Sequence, residues 1–249
     1  GATVPVELAA RMTRVFPNAL AKVVYGSTES EPISSVEAQE FVRDSGSHLG
    51  FLVGKPVKNV EVCVASLPDR PVDEAEVNAN QLKTFDIGEI LVSGEHVLKA
   101  YVDNVSATRE NKVRRGNGSV WHRTGDTGFF DEQGRIWLTG RVKDVVTANG
   151  NRVQPFPLEK AIDEMAGIKR SALIQSGDQI SLFIEPGIPD RPDFFEEIAA
   201  VLKDHGLGEV KISVLKKIPV DARHNSKIDR PLIRNWMAQG KIDYKGVIS

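Results

Sequence analysis

The feature that most constrains this chain is a change of hydrophobic period partway along it. From Gly50 onward, apolar and polar residues alternate in short runs, as in VEVCVAS, GEILVSGEHV and GFFDEQGRIWLTG. A period of two is that of half-buried strands, and DEQG between GFF and RIWLTG reads as a hairpin turn with Ile136 and Leu138 on one face. The polar stretch from Pro68 to Asp86 reads as a long surface loop. Beyond Asp144 the pattern changes. DVVTANG and NRV suggest a small hairpin, and PFPLEKAIDEMAG places Leu158, Ala161, Ile162 and Met165 at helical spacing behind Pro157. RSALIQSG, QISLFIEPG and VKISVLKKIP read as strands. Two more helices follow the same logic: RPDFFEEIAAVLKDHG, with Phe195, Ile198, Ala199 and Leu202 facing inward, and DRPLIRNWMAQG, with Asp229 as N-cap. That makes an α+β unit of about a hundred residues, enough for its own core. Its boundary with the preceding β region falls near Gly140 to Asp144.

Ahead of the β region, TVPVELAARMTRVF reads as a helix with Pro5 in its first turn and Leu8, Met12, Val15 and Phe16 on one face. AKVVYGS is then a short buried strand running into a Gly turn, so the opening resembles half a βαβ unit. A length of 249 residues suits two domains, and 41% hydrophobic with 27% charged residues is ordinary for a globular protein. The net charge of −2 argues against a nucleic-acid or anionic-membrane surface, which needs a concentrated positive field. Five His and a single Cys, Cys63, make neither a Cys-rich zinc site nor an internal disulfide, and a reducing compartment fits. No apolar run approaches the ~20 residues that span a bilayer. The start carries neither a signal-peptide pattern nor an initiator Met, so the chain reads as a fragment or a processed product.

Four short stretches carry residues with chemical potential. In VVYGSTESEP, a strand ending in Gly26-Ser27-Thr28 offers N–H groups and hydroxyls suited to phosphate oxygens. Glu29 beyond it offers the hard oxygen that Mg²⁺ prefers, though a capped turn has the same composition. In HRTGD, Gly125 permits a tight turn, and the Asp126 carboxylate matches a vicinal diol such as a ribose; an ordinary Asx turn looks the same. In GRVKD, at the unit boundary, Arg141 has the reach for a ribose or phosphate. In DARHNSKIDR, Lys227 projects a point charge toward an anion or simply into solvent. His224 beside it has no Ser or Cys partner, so no triad is expected.

The order of these stretches is more specific than any one of them. YGSTE, GEILVSGEHVLKAY, HRTGD, GRVKDVVTANGNRVQP and NSKIDR, over roughly Val23 to Arg230, resemble the adenylate-forming superfamily of acyl-CoA synthetases, luciferases and peptide-synthetase adenylation domains. The resemblance implies an α/β plus β fold, residues 1–141, forming the end of a large domain: a βαβ piece and a β-barrel-like subdomain. A small mobile α+β domain, residues 142–249, would follow. It implies ATP-dependent activation of a carboxylic acid, in particular a fatty acid, to an acyl-adenylate, with transfer to coenzyme A or to a carrier protein's phosphopantetheine; the expectation of a cytoplasmic protein rests only on the lack of targeting signals in the sequence. Thr28 would contact phosphate, Glu29 would ligate Mg²⁺, and Tyr25, Gly26 and Ser27 would line the adenine and acyl pocket. Asp126 and Arg141 would hold the ribose of ATP or AMP, Lys143 would be the hinge, Gly150 would line the thiol tunnel, and Lys227 would bridge carboxylate and α-phosphate. The family's phosphate loop, expected upstream, is absent, so the chain is expected to be a C-terminal fragment inactive on its own. Where the family has Ser-Gly-Lys, this chain has Asn225-Ser226-Lys227, with less backbone freedom. That ending looks more like members handling long or modified acyl chains, β-lactone-forming ligases among them. A non-catalytic scaffold is the alternative of another class, against which the presence of Thr28, Glu29, Asp126 and Lys227 counts.

Overall fold

The computed structural model describes residues 4–48, 50–188, 195–221 and 227–248. They form two compact units, divided between Val142 and Lys143. The first opens with α1 (Val6–Val15), β1 (Lys22–Ser27), β2 (Ser30–Glu37) and α2 (Ala38–Asp44). It continues with β3 (Phe51–Pro56), β4 (Val60–Ala65), α3 (Glu74–Ala79), β5 (Gly88–Gly94), α4 (Val105–Asn111), β6 (Lys112–Arg114), β7 (Val120–Phe130) and β8 (Ile136–Arg141). The sheet order is β1-β2-β3-β8-β7-β5-β4, with β6 added on β7, and every pairing is antiparallel.

Alternation sorts this sheet's side chains as the period of two requires. Ile33, Val53, Ile90, Val92 and Ile136 pack together on one face, and Leu138 joins them. Leu52, Phe129 and Trp137, their chain neighbours, turn to the other face under α1 and α2 with Ala9 and Phe41. The turn after β7 closes as expected: Asp131 accepts from the backbone N–H groups of Gln133 and Arg135, and Gly134 takes a φ of 72°.

The helix α1 leads into β1 as expected, and β1 then turns straight back into β2 through Thr28 and Glu29. The strand β2 escaped notice because it is serine-rich; buried Ser34 satisfies its hydroxyl on the Val53 carbonyl at 2.8 Å. One expectation for this unit is corrected: the Pro68–Asp86 stretch is not loop throughout. Asp73 and Glu76 form a reciprocal capping box that starts α3, whose Val77 is fully buried beside Trp121 and Leu91. The apolar face of α1 points outward: Leu8 is 49% and Phe16 53% exposed, and the helix rests on small Ala9 instead.

The second unit runs through a 3-10 turn (Val142–Asp144), β9 (Val146–Ala148), β10 (Asn151–Val153), α5 (Pro155–Asp163), β11 (Ile168–Ser176), β12 (Gln179–Pro186), α6 (Phe195–Asp204), β13 (Val210–Val214), α7 (Arg230–Ala238) and β14 (Gly246–Ile248). Here β12, α6 and β13 do make a parallel crossover within the sheet β11-β12-β13-β14. Leu173, Leu182 and Ile212 face α5 and α6, while Ala172, Ile174 and Phe183 face Ile218 and α7 residue Ile233. With both faces covered, these strands read as continuous apolar runs. Asp229 caps α7 as expected, accepting from Leu232 N–H at 3.0 Å. Among the described residues no helix is long and apolar enough to cross a membrane.

Candidate active site

Asp126 and Arg141 meet because β7 and β8 pair with these two residues opposite each other. Arg141 Nε lies 2.9 Å from Asp126 Oδ1, and Arg141 Nη1 also donates to the Thr124 carbonyl. The turn is set locally: Thr124 Oγ1 accepts from Asp126 N–H at 3.0 Å, and Gly125 between them takes a φ of 69° that only glycine adopts without strain. From β1, the Tyr25 hydroxyl donates to Asp126 Oδ2 at 2.7 Å. Burial, followed by the neighbouring Asp126 charge, pushes the Tyr25 phenol well above its ordinary range, so it keeps the proton it donates. Each carboxylate oxygen therefore has at least one fixed donor. A carboxylate held in this way is a group to which a vicinal diol can donate.

Tyr25 leads into the β1–β2 turn. A side chain at Gly26 would lie 2.9 Å from the Ser30 carbonyl oxygen, so the bulge between Tyr25 and Ser27 tolerates only glycine there. Thr28 is exposed at the turn, and Ser27 Oγ is buried without a well-formed hydrogen bond. The Glu29 carbonyl is tied to Leu98 N–H at 2.8 Å, and Tyr101 OH donates to Glu29 Oε1 at 3.0 Å. Burial alone would raise the Glu29 pKa, but its own backbone N–H, the Ser27 hydroxyl and Tyr101 outweigh it, so the carboxyl is held below its usual range. Around it stand two groups the sequence did not flag. Burial lowers Lys112 to about 8, and its Nζ sits 5.2 Å over the Tyr101 ring. Burial, helped by Lys112, lowers His122 to about 4, so that ring is neutral.

A single ionised carboxylate fits Mg²⁺, which takes one or two protein carboxylates and completes its shell with phosphates and water. No cluster of three or more His, Cys, Asp or Glu that could cage a metal occurs among the described residues.

The remaining expected residues lie in the second unit or at its start. Lys143 is exposed in the 3-10 turn, and its carbonyl accepts from Arg234 Nη2 at 3.3 Å. Asp144 after it is buried and paired with Arg234 at 2.8 Å and Arg230 at 3.5 Å. Gly150 is exposed in the two-residue turn of the β9–β10 hairpin. Lys227 is exposed; its carbonyl accepts from Asp221 N–H at 2.7 Å, beside the bridge between Val220 and Ile228. His224, Asn225 and Ser226 lie outside the described residues.

No family model matches the chain. It is 31% identical over 252 residues to an olefin β-lactone synthetase of Stenotrophomonas maltophilia, covering 95% of this chain and 46% of that protein. To a D-alanine–D-alanyl carrier protein ligase of Bacillus licheniformis it is 27% identical over 246 residues, covering 94% and 46% respectively. Its fold is shared with the O-succinylbenzoate coenzyme A synthetase of Bacillus subtilis, solved in complex with AMP: the TM-score is 0.66 at 21% identity, over 93% of this chain and 44% of the other. The chain thus spans a little under half the length of these relatives.

Proposed function

Since the chain belongs to the adenylate-forming family of AMP-dependent acyl-CoA ligases and their relatives, we propose that its full-length protein activates a carboxylic acid, fatty acyl in class, with ATP. The observation that carries this reading is the Asp126 carboxylate, anchored by Tyr25 and Arg141, as the group that holds the ribose hydroxyls. A carboxylate oxygen of the acid attacks the α-phosphorus, the bond to the β-phosphate breaks, and pyrophosphate leaves with the electron pair. Two anions must approach, so charge neutralisation and alignment are the work to be done. Lys227 supplies a cation between carboxylate and α-phosphate, and Thr28 a hydroxyl toward phosphate. Mg²⁺ held by Glu29 would shield the phosphates. No general base is required, because the acid is already ionised above its ~4 reference pKa.

The second half-reaction forms a thioester: the coenzyme A sulfur attacks the acyl carbonyl, AMP leaves, and the thiol proton goes to solvent. In this reading residues 142–249 rotate about Lys143, withdrawing Lys227 and presenting Gly150. A second reading is favoured by the olefin β-lactone synthetase relative: the acid's own β-hydroxyl attacks the acyl carbonyl of the adenylate, the bond to AMP breaks and AMP leaves, the hydroxyl proton goes to solvent, and a β-lactone closes. The test is pyrophosphate exchange into ATP by the full-length protein across short, aryl, amino and long-chain acids. Exchange with none of them refutes the proposal. Thioester formed with coenzyme A, against lactone formed from a β-hydroxy acid without it, separates the two readings.

A further inference from the structure

The turn that carries Glu29 has a charge beneath it that the reaction above does not use. Lys112 opens β6 opposite His122 of β7, and its Nζ is buried without a hydrogen-bond partner. A lysine on a short strand could extend its four-carbon stem to water, and leaving an ammonium buried costs several kcal/mol unless something compensates. What surrounds it is specific. The Tyr101 ring face lies 5.2 Å away, and that ring's hydroxyl sits on Glu29 Oε1. His122, also facing it, is buried and donates from Nδ1 to the Asn111 carbonyl, 3.3 Å away. Among the described residues no ion pair joins Lys112 to Glu29, and Tyr101 touches both, through its ring face and its hydroxyl.

We propose that Lys112 is a positioning residue of the Glu29 site: a fixed cation, seated over the Tyr101 ring whose hydroxyl holds Glu29, that disfavours a divalent ion arriving alone. The inference rests on Glu29 being the metal contact. An ammonium near a carboxylate offsets part of the negative charge that an incoming cation meets. The polyphosphate of a nucleotide restores the missing negative charge, so the metal enters with the nucleotide and leaves with pyrophosphate.

The experiment uses Mn²⁺ as probe, its binding followed by electron paramagnetic resonance of the free ion. The full-length protein is compared with Lys112→Met, Lys112→Arg, Glu29→Gln and the double variant Lys112→Met/Glu29→Gln, with Lys112→Gln as the second neutral replacement should methionine impair folding. Without nucleotide, the neutral variants should bind Mn²⁺ at least tenfold more tightly than the parent. The arginine variant should match the parent, and Glu29→Gln should abolish the gain. Neutral variants binding free Mn²⁺ no more tightly, while Glu29→Gln still weakens Mn²⁺·ATP binding, overturn the role of Lys112 and leave Glu29 in place. Mn²⁺·ATP binding indifferent to Glu29→Gln removes the metal contact and the inference with it.

Discussion

Tyr25→Phe tests how the proposed ribose contact is built. The substitution keeps the ring, so it opens no cavity, and removes only the hydroxyl that donates to Asp126 at 2.7 Å. A hydrogen bond to a charged acceptor contributes about 1.5–3 kcal/mol. The competing anchor is weaker: Arg141 is 43% exposed against 15% for Asp126, and a pair open to solvent is worth at most about 1 kcal/mol. Tyr25, at 9% exposure, therefore dominates. For a chain of this size each 1 kcal/mol moves Tm by about 2–4 °C. Tyr25→Phe should then lower Tm by about 3–12 °C, and Arg141→Ala by no more than about 4 °C. If Tyr25 also orients the carboxylate, a nucleotide must order it on binding. AMP affinity by calorimetry should then fall by about tenfold, or ~1.4 kcal/mol. A larger loss of stability from Arg141→Ala than from Tyr25→Phe would refute the ranking of anchors. A lower Tm with AMP affinity intact would show that Tyr25 supports the sheet and not the ligand contact.

Other expectations follow from single contacts. In the folded chain His122 titrates near about 4 because it is buried, against about 6.5 when unfolded, so the folded state refuses a proton the unfolded state takes. The stability this provides is complete above about pH 6.5 and declines as pH falls toward 4, by about 3 kcal/mol in all; urea unfolding at pH 7, 6 and 5 should show the decline, and His122→Asn should flatten it. Arg230→Met leaves Glu159, bonded to that guanidinium at 2.7 and 2.8 Å, as a buried uncompensated charge, and should destabilise the second unit by about 3–5 kcal/mol in chemical denaturation. Lys227→Ala should slow pyrophosphate exchange by the full-length protein at least a hundredfold while ATP binding changes little; an unchanged exchange rate removes the lysine from the reaction. Leu8→Gln on the exposed face of α1 should alter the stability of this chain by less than about 0.5 kcal/mol, as circular dichroism melts will show.

What the amino-acid pattern revealed and what it concealed follow one physical division. Elements whose burial is written in their own period were legible: the β7–β8 hairpin with its Gly134 turn, the Leu158–Ile162 face of α5, and the cap of α7 at Asp229. Elements held by partners far along the chain were not. β2 reads as polar because Ser34 is satisfied only by Val53 across the sheet, and α3 reads as loop until Val77 is seen to fill the space beside Trp121. The outward apolar face of α1 is the converse case, since periodicity reports a face but not what covers it.

The candidate site divides the same way. Asp126 and Arg141 stood out because each belongs to a short string whose order along the chain was specific, and the register of β7 on β8 then brings them together. Tyr25 was named for the pocket, whereas its contact is the Asp126 carboxylate 101 positions away. Lys112 had no signal: RENKVRR reads as a solvated charged run, the commonest fate of such a string. Only the pairing of β6 with β7 turns Lys112 inward, where the ammonium lies buried over Tyr101. A charge hidden in a charged run is therefore the kind of site residue that composition and spacing conceal, because what marks it is the lost hydration, and hydration is decided by the sheet and not by the string.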